Sequence, residues 1–198
     1  MRLFTAVIPP TSVKDHLGLA IDGVPALPRW VPRENLHITL AFYADLPEGT
    51  VPELREELAD VARKHAPIDL RLRGAGSYGA RVLWIGVDGG TRALHDLATD
   101  CLAVSPREVP DDVKPHRAHV TVAHARAGQV RPPRGRDRWG KRAGSEPRSA
   151  LEPAAQALSV YAGPDWTADS FALVESRPGE GAQGGPRYTV VEAWALEG

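Results

Sequence analysis

Two tetrapeptides, His37-Ile38-Thr39-Leu40 and His119-Val120-Thr121-Val122, repeat the form His-x-Thr-x with an aliphatic residue at each x. Each sets a group that exchanges protons near neutrality beside a hydroxyl that donates a hydrogen bond. Around the first copy Leu36, Ile38, Leu40 and Phe42 alternate with Asn35, His37, Thr39 and Ala41. That period reads as a strand with His37 and Thr39 on one face and the apolar set, Phe42 included, on the other. The second copy projects His119 and Thr121 together, with Val120 and Val122 opposite. Two such strands would grip one substrate from both sides.

The elements that must position these strands follow from periodicity. Residues 2 to 9 read as a strand. Thr11 to Asp22 reads as a helix whose start is marked by Pro10 and the hydroxyls of Thr11 and Ser12. Pro25 to Pro32 is a Pro-rich connection into the first motif. Thr50 to His65 carries Val51, Leu54, Leu58, Val61 and Ala62 at helical spacing, and Pro67 ends it. Ile68 to Arg73 alternates strictly, a turn region with Gly74, Gly76 and Gly79 follows, and Val82 to Val87 is an apolar strand. Further expected elements are a helix over Thr91 to Val104, the second motif strand, and a helix over Ser149 to Tyr161. Strands over Thr167 to Glu175 and Tyr188 to Leu196 close the chain across a Gly-rich hairpin at Gly179, Gly181, Gly184 and Gly185. The mixture predicts an α+β architecture with antiparallel pairing. The motifs lie 82 residues apart, each preceded by a helix, which points to a duplicated lobe.

Composition narrows the class. The 198 residues, 42% of them hydrophobic, suffice for one domain or two small lobes. The apolar start, Met1 to Ile8, is too short for a signal peptide or membrane span and is interrupted by Pro9-Pro10. Cys101 is the only cysteine, which excludes an intrachain disulfide and a cysteine-based zinc site and fits a cytosolic protein. Net charge is -1. It is unevenly spread: residues 126 to 148 hold eight Arg or Lys against Asp137 and Glu146. This segment either follows a phosphate backbone, with Trp139 stacking on a base, or is a solvated Pro- and Gly-rich loop. The solvated loop is slightly the better description.

Arg29-Trp30-Val31-Pro32-Arg33-Glu34-Asn35-Leu36 together with the first motif resembles the first signature segment of the two-histidine phosphoesterases. Within them it is most similar to the RNA 2',3'-cyclic phosphodiesterases, also called the 2'-5' RNA ligase family. Arg2 to Val7, Arg81 to Val87, Glu175-Ser176 and Gly185 to Tyr188 resemble that family in order and spacing, so the likeness runs over nearly the whole chain. It implies one bilobal domain over residues 1–198, with two pseudo-symmetric lobes, antiparallel sheets lining a central cleft and helices outside. It also implies metal-independent hydrolysis of a 2',3'-cyclic phosphate, in an RNA end or a nucleotide, to a 2'-phosphomonoester. His37 would be the proton donor, His119 the proton acceptor, and Thr39, Thr121 and Arg126 the phosphate-binding residues. Three positions depart from the family: Ala44 where Gly is usual, Ala118 where Pro commonly precedes the second His, and His124 where Arg is frequent.

That chemistry is coherent in elementary terms. Water must lose a proton as it attacks phosphorus, and the departing 3'-oxygen must gain one. Two imidazoles of ordinary pKa near 6.5 supply both functions without a cofactor, and hydroxyls at i+2 donate to the non-bridging oxygens. Neither motif carries a second His or a carboxylate at ligand spacing on its face, so no metal is expected. His95, Asp96 and Asp100 read as a solvated helix face, His16 and His65 as surface helix positions, and His116 and His124 as structural. Tyr78 either flanks the cleft and stacks on a base or packs in the core. Two other readings of the same cleft are a module that binds RNA ends with little catalysis, and 2'-5' RNA ligation, the reaction run backwards. A monomer with no membrane partner is expected.

Overall fold

A computed structural model describes residues 1–24, 28–43, 46–79, 81–106, 116–125 and 151–198. Ala44, Arg126 and the basic segment lie outside the described residues. Among the described residues nine strands and four α-helices follow in the order β1 (Leu3–Val7), α1 (Thr11–Asp22), β2 (Arg29–Trp30), β3 (Ile38–Tyr43), α2 (Val51–Ala62), β4 (Ile68–Tyr78), β5 (Val82–Gly89), α3 (Thr91–Ala103), β6 (His119–His124), α4 (Glu152–Leu158), β7 (Ala162–Ala168), β8 (Ser170–Arg177) and β9 (Arg187–Ala195). Every strand pairing among the described residues is antiparallel.

Strand order is β7-β4-β5-β6-β3-β1-β8-β9, with β2 added beside β6. The α+β, two-lobed expectation is met by two four-stranded halves. In each, a motif strand lies next to the strand that precedes its helix: β1, α1, β3 in one and β5, α3, β6 in the other. The halves join where the motif strands meet, through one register pair, Ile38 opposite Val120. These are the second residues of the two tetrapeptides, and both are fully buried.

One face of the sheet is covered by all four helices. Val13 and Leu17 of α1, Leu54 and Leu58 of α2, Leu94, Leu97 and Cys101 of α3, and Ala154 and Leu158 of α4 join a single core with Leu3, Ile38, Leu70, Leu83, Ile85 and Val120. The helical period of each segment supplies this stripe. Truncating one such Leu to Ala costs about 2–5 kcal/mol. Tyr43 in this core donates its hydroxyl hydrogen to the Cys101 carbonyl at 2.6 Å, tying β3 to α3. Burial pushes the Cys101 thiol up to about 12, so the sole cysteine is a packed, protonated side chain. A smaller apolar cluster of Phe4, Ala6, Ala172 and Val174, with Tyr188 against it, lies apart from this core, beside the first motif.

Several boundaries differ from those read in the sequence. The helix α1 starts without a side-chain cap; the Val13 and Lys14 N–H groups donate instead to the Pro10 carbonyl. Gly74 to Tyr78 are not a turn but the second half of β4, and the turn begins only at Gly79. Gly74, at φ +67°, carries a β-bulge there. A Cβ at Gly76 would overlap the Trp84 indole, so glycine lets that ring lie against the strand. The strand expected from Thr167 is two strands: β7 ends at Ala168 and β8 begins at Ser170. The Pro-rich connection contains β2, too short to show a period.

Candidate active site

The motif strands are built alike in a way that simple alternation does not reveal. Across β1 and β3, Thr5 faces Ala41 and Ala6 faces Thr39, so Leu40 is an extra residue. Across β5 and β6, Leu83 faces Ala123 and Trp84 faces Thr121, so Val122 is extra. A β-bulge therefore falls on the fourth residue of both tetrapeptides. A bulge shifts the in–out alternation by one. Leu40, Ala41 and Tyr43 are consequently buried, whereas Phe42 is 47% exposed and lines the cleft with His37 and Thr39. The expectation that Phe42 packs with the apolar set is thus corrected. The same shift brings His124 onto the cleft face with Thr121.

The two motif histidines are also held alike. The His37 Nδ1 lies 2.7 Å from the Asn35 carbonyl, and the His119 Nδ1 lies 2.7 Å from the Arg117 carbonyl. A carbonyl only accepts, so each Nδ1 must carry the hydrogen. Both rings are thereby fixed in one tautomer, with Nε2 left for chemistry. Each ring also lies between aromatics. His37 is 4.8 Å from Phe4 and 5.3 Å, edge-on, from Tyr188. His119 is 5.1 Å, edge-on, from Tyr78 and 6.5 Å from Trp84.

A cavity of about 220 Å³ is lined by His37, Thr39 and Thr121, with Phe4, Phe42, Tyr188, Arg29, Trp30 and His124 among its other walls. No carboxylate is among its described lining residues. His119 opens onto a neighbouring pocket of about 420 Å³, with Tyr78, Trp84, His116 and Arg117. The His37 pKa lies below the ordinary imidazole value, chiefly because burial penalises the charged ring, with the His119 and Lys14 charges adding to the effect and the Asn35 carbonyl opposing it.

Of the residues singled out from sequence, His37, Thr39 and Thr121 share one cavity, and His119 lines a separate pocket beside Tyr78. Tyr78 is 38% exposed and lies in β4, not in a turn. Arg126 lies outside the described residues. His116 donates from Nε2 to the Thr39 carbonyl at 2.7 Å, stitching the approach to β6 onto β3. His65 is not a surface helix position: it follows α2 and pairs with Asp100 at 2.8 Å. Among the described residues no three His, Cys, Asp or Glu come together as metal ligands. Sequence reasoning missed the Asn35 and Arg117 carbonyls, the aromatic brackets, and the placing of Arg29 and His124. For Arg29 the signal was its position next to Trp30 in the segment leading to the first motif.

The geometry has known counterparts. The model of the 2'-5' RNA ligase superfamily matches residues 13–180. The RNA 2',3'-cyclic phosphodiesterase of Thermus thermophilus is 30% identical over 209 residues, spanning 100% of this chain and 91% of that protein. The RNA 2',3'-cyclic phosphodiesterase of Methanothermobacter thermautotrophicus is 30% identical over 145 residues, or 70% of this chain and 76% of its own. The crystal structure of TT0787 of Thermus thermophilus superposes with a TM-score of 0.69 at 29% identity, covering 100% of this chain and 99% of that one. With both tetrapeptides inside the matched span and the likeness extending from end to end, this chain belongs to the 2'-5' RNA ligase superfamily.

Proposed function

We propose that the protein hydrolyses 2',3'-cyclic phosphates at RNA ends or in nucleotides to 2'-phosphomonoesters, without a metal. The observation that carries this reading is the mirrored Nδ1–H bond of the two motif histidines, which leaves two Nε2 atoms on two strands that meet at Ile38 and Val120. The activity for which the Thermus thermophilus relative is named supports it. Water attacks phosphorus and gives its proton to the His119 Nε2. The bond from phosphorus to the 3'-oxygen breaks, and that oxygen takes the proton of the His37 Nε2. Thr39 and Thr121 donate to the non-bridging oxygens, where preorganised donors act most strongly.

Burial favours neutral His37 in the free cleft, whereas a proton donor must be charged. The monoanionic cyclic phosphate supplies the missing balance, because an opposite charge beside an imidazole raises its pKa. No carboxylate among the described lining residues competes for that role. In this reading residues 1–198 act as one bilobal unit and as a monomer, since both motif strands belong to one chain. The buried thiol of Cys101 accords with a cytosolic setting. No helix among the described residues is long and apolar enough to cross a membrane.

The pocket beside His119 favours a second reaction in the same cleft. Its size and its Tyr78 and Trp84 walls suit a nucleoside whose 5'-hydroxyl replaces water, which is 2'-5' joining. The deciding experiment is hydrolysis of nucleoside 2',3'-cyclic phosphates by EDTA-treated wild type and His119→Ala, with phosphorus NMR of the product. A 2'-phosphate formed by wild type alone is expected. A 3'-phosphate product, or loss of activity with EDTA that a divalent metal restores, would overturn the reading.

A further inference from the structure

The cavity that holds His37, Thr39 and Thr121 continues along β6 to a pair of groups that the reaction above does not use. Arg29 of β2 lies directly opposite His124 in the β2–β6 register, and both line the cavity. His124 is three residues beyond Thr121 on the same strand, about 10 Å of extended chain less the shortening at the Val122 bulge. An arginine side chain spans part of that distance. The pair is thus set off from the Thr121 hydroxyl along the wall of the same cavity.

Three features mark the pair as a place for an anion. The first is partnering: Arg33 is paired with Asp15 and Asp22, Arg73 with Asp88, and Arg177 with Glu175. Among the described residues no carboxylate lies within ion-pair distance of Arg29. The second is the wall, whose described residues include no Asp or Glu. The third is the identity of residue 124. An imidazole stands there, directly across the strand pair from Arg29. Burial, and then the Arg29 charge, holds His124 below the ordinary imidazole value, so it stands beside a permanent cation as a neutral hydrogen-bond donor. The backbone under Arg29 is fixed, since two residues on Val31 donates its N–H to the Val122 carbonyl at 2.8 Å.

We infer that Arg29 and His124 form a second phosphate subsite, which takes the 5'-phosphate of the nucleotide whose 2',3'-cyclic phosphate is opened. The inference rests on the phosphodiesterase reading and sharpens it. The preferred substrate is a strand end or a 5'-phosphorylated nucleotide, and a bare nucleoside 2',3'-cyclic phosphate is a truncated one. The guanidinium fork suits two phosphate oxygens, and the imidazole N–H a third.

The test compares kcat/KM for adenosine 2',3'-cyclic phosphate and for its 5'-phosphorylated form, in wild type, Arg29→Met and Arg29→Lys. Wild type should favour the 5'-phosphorylated substrate at least tenfold, mainly through KM. Arg29→Met should lose at least tenfold more on that substrate than on the nucleoside, and Arg29→Lys should fall between. Equal losses on both substrates, or no preference in wild type, would overturn the subsite while leaving the hydrolase assignment intact. Absence of turnover of either substrate by wild type would overturn the assignment and the subsite with it. If Arg29→Met fails to fold, product inhibition of wild type and Arg29→Lys decides. Adenosine 2',5'-bisphosphate should then inhibit wild type at least tenfold better than adenosine 2'-monophosphate, and equal inhibition would count against the subsite.

Discussion

The surroundings of His37 and His119 share a skeleton and differ in access. Both rings donate Nδ1–H to the carbonyl two residues earlier, both lie beside two aromatics, and both precede a bulge at the fourth motif position. Yet His37 sits beside the apolar cluster of Phe4, Ala6, Ala172 and Val174 and is held below its ordinary pKa. His119 is the more exposed ring and faces a second, more open pocket with Tyr78. One scaffold, used twice, thus holds two imidazoles in unlike environments, as the proposed reaction requires. A bound diester needs this, because one side of phosphorus must give a proton while the other takes one.

The largest effect should come from removing either ring. His37→Ala and His119→Ala should each lower kcat by about 10³-fold or more with near-UV circular dichroism unchanged. Added imidazole sharpens the contrast: it should restore activity at least tenfold better to His119→Ala, whose ring is the more exposed, than to His37→Ala. Equal rescue would mean that the environments do not differ in access. Next, Thr39→Val and Thr121→Val should each cost about 10²-fold in kcat, by removing a donor to the oxygens and no proton carrier. A loss confined to one of them would break the symmetry between the strands.

The pH profiles probe the difference in burial. His37 must be protonated to act as donor, and its pKa in the free protein is lowered. Activity measured as kcat/KM should therefore fall as pH rises through that lowered value. The bound monoanion raises the pKa, so the same limb of kcat should lie at higher pH. Coincident limbs would argue against His37 as the donor. The smallest effect concerns the bulges. At β3 the Ala41 N–H donates to the Thr5 Oγ1 at 3.2 Å, whereas at the equivalent place on β5 stands Leu83. Thr5→Val should lower unfolding stability by about 1–3 kcal/mol in urea melts, because a buried N–H loses its partner.

How much of this could be read in advance depended on whether the signal was local. His37 with Thr39 and His119 with Thr121 were legible as paired faces because period-two alternation holds up to the bulge. Beyond it the same rule assigned Phe42 to the wrong face and gave no hint that His124 enters the cleft, since a bulge leaves no mark in polarity. The helices α1, α2 and α3 were legible from their apolar stripes. By contrast β2 has two residues, and β7 and β8 are divided by Asp169 alone, so neither the short strand nor the break declares itself. The meeting of Ile38 with Val120 is a long-range pairing, on which no window of sequence bears.

The strand order has a consequence for how the protein is made. One half of the sheet, β4 to β7, is contiguous in the chain, whereas the other joins β1 and β3 to β8 and β9. During synthesis β1 and β3 leave the ribosome early, and the partner on the far side of β1 follows only after the whole intervening half. At ordinary translation speeds that delay is on the order of ten seconds. Through it β1 presents an unpaired edge, the feature that templates aggregation. The half that carries His37 is begun first and completed last.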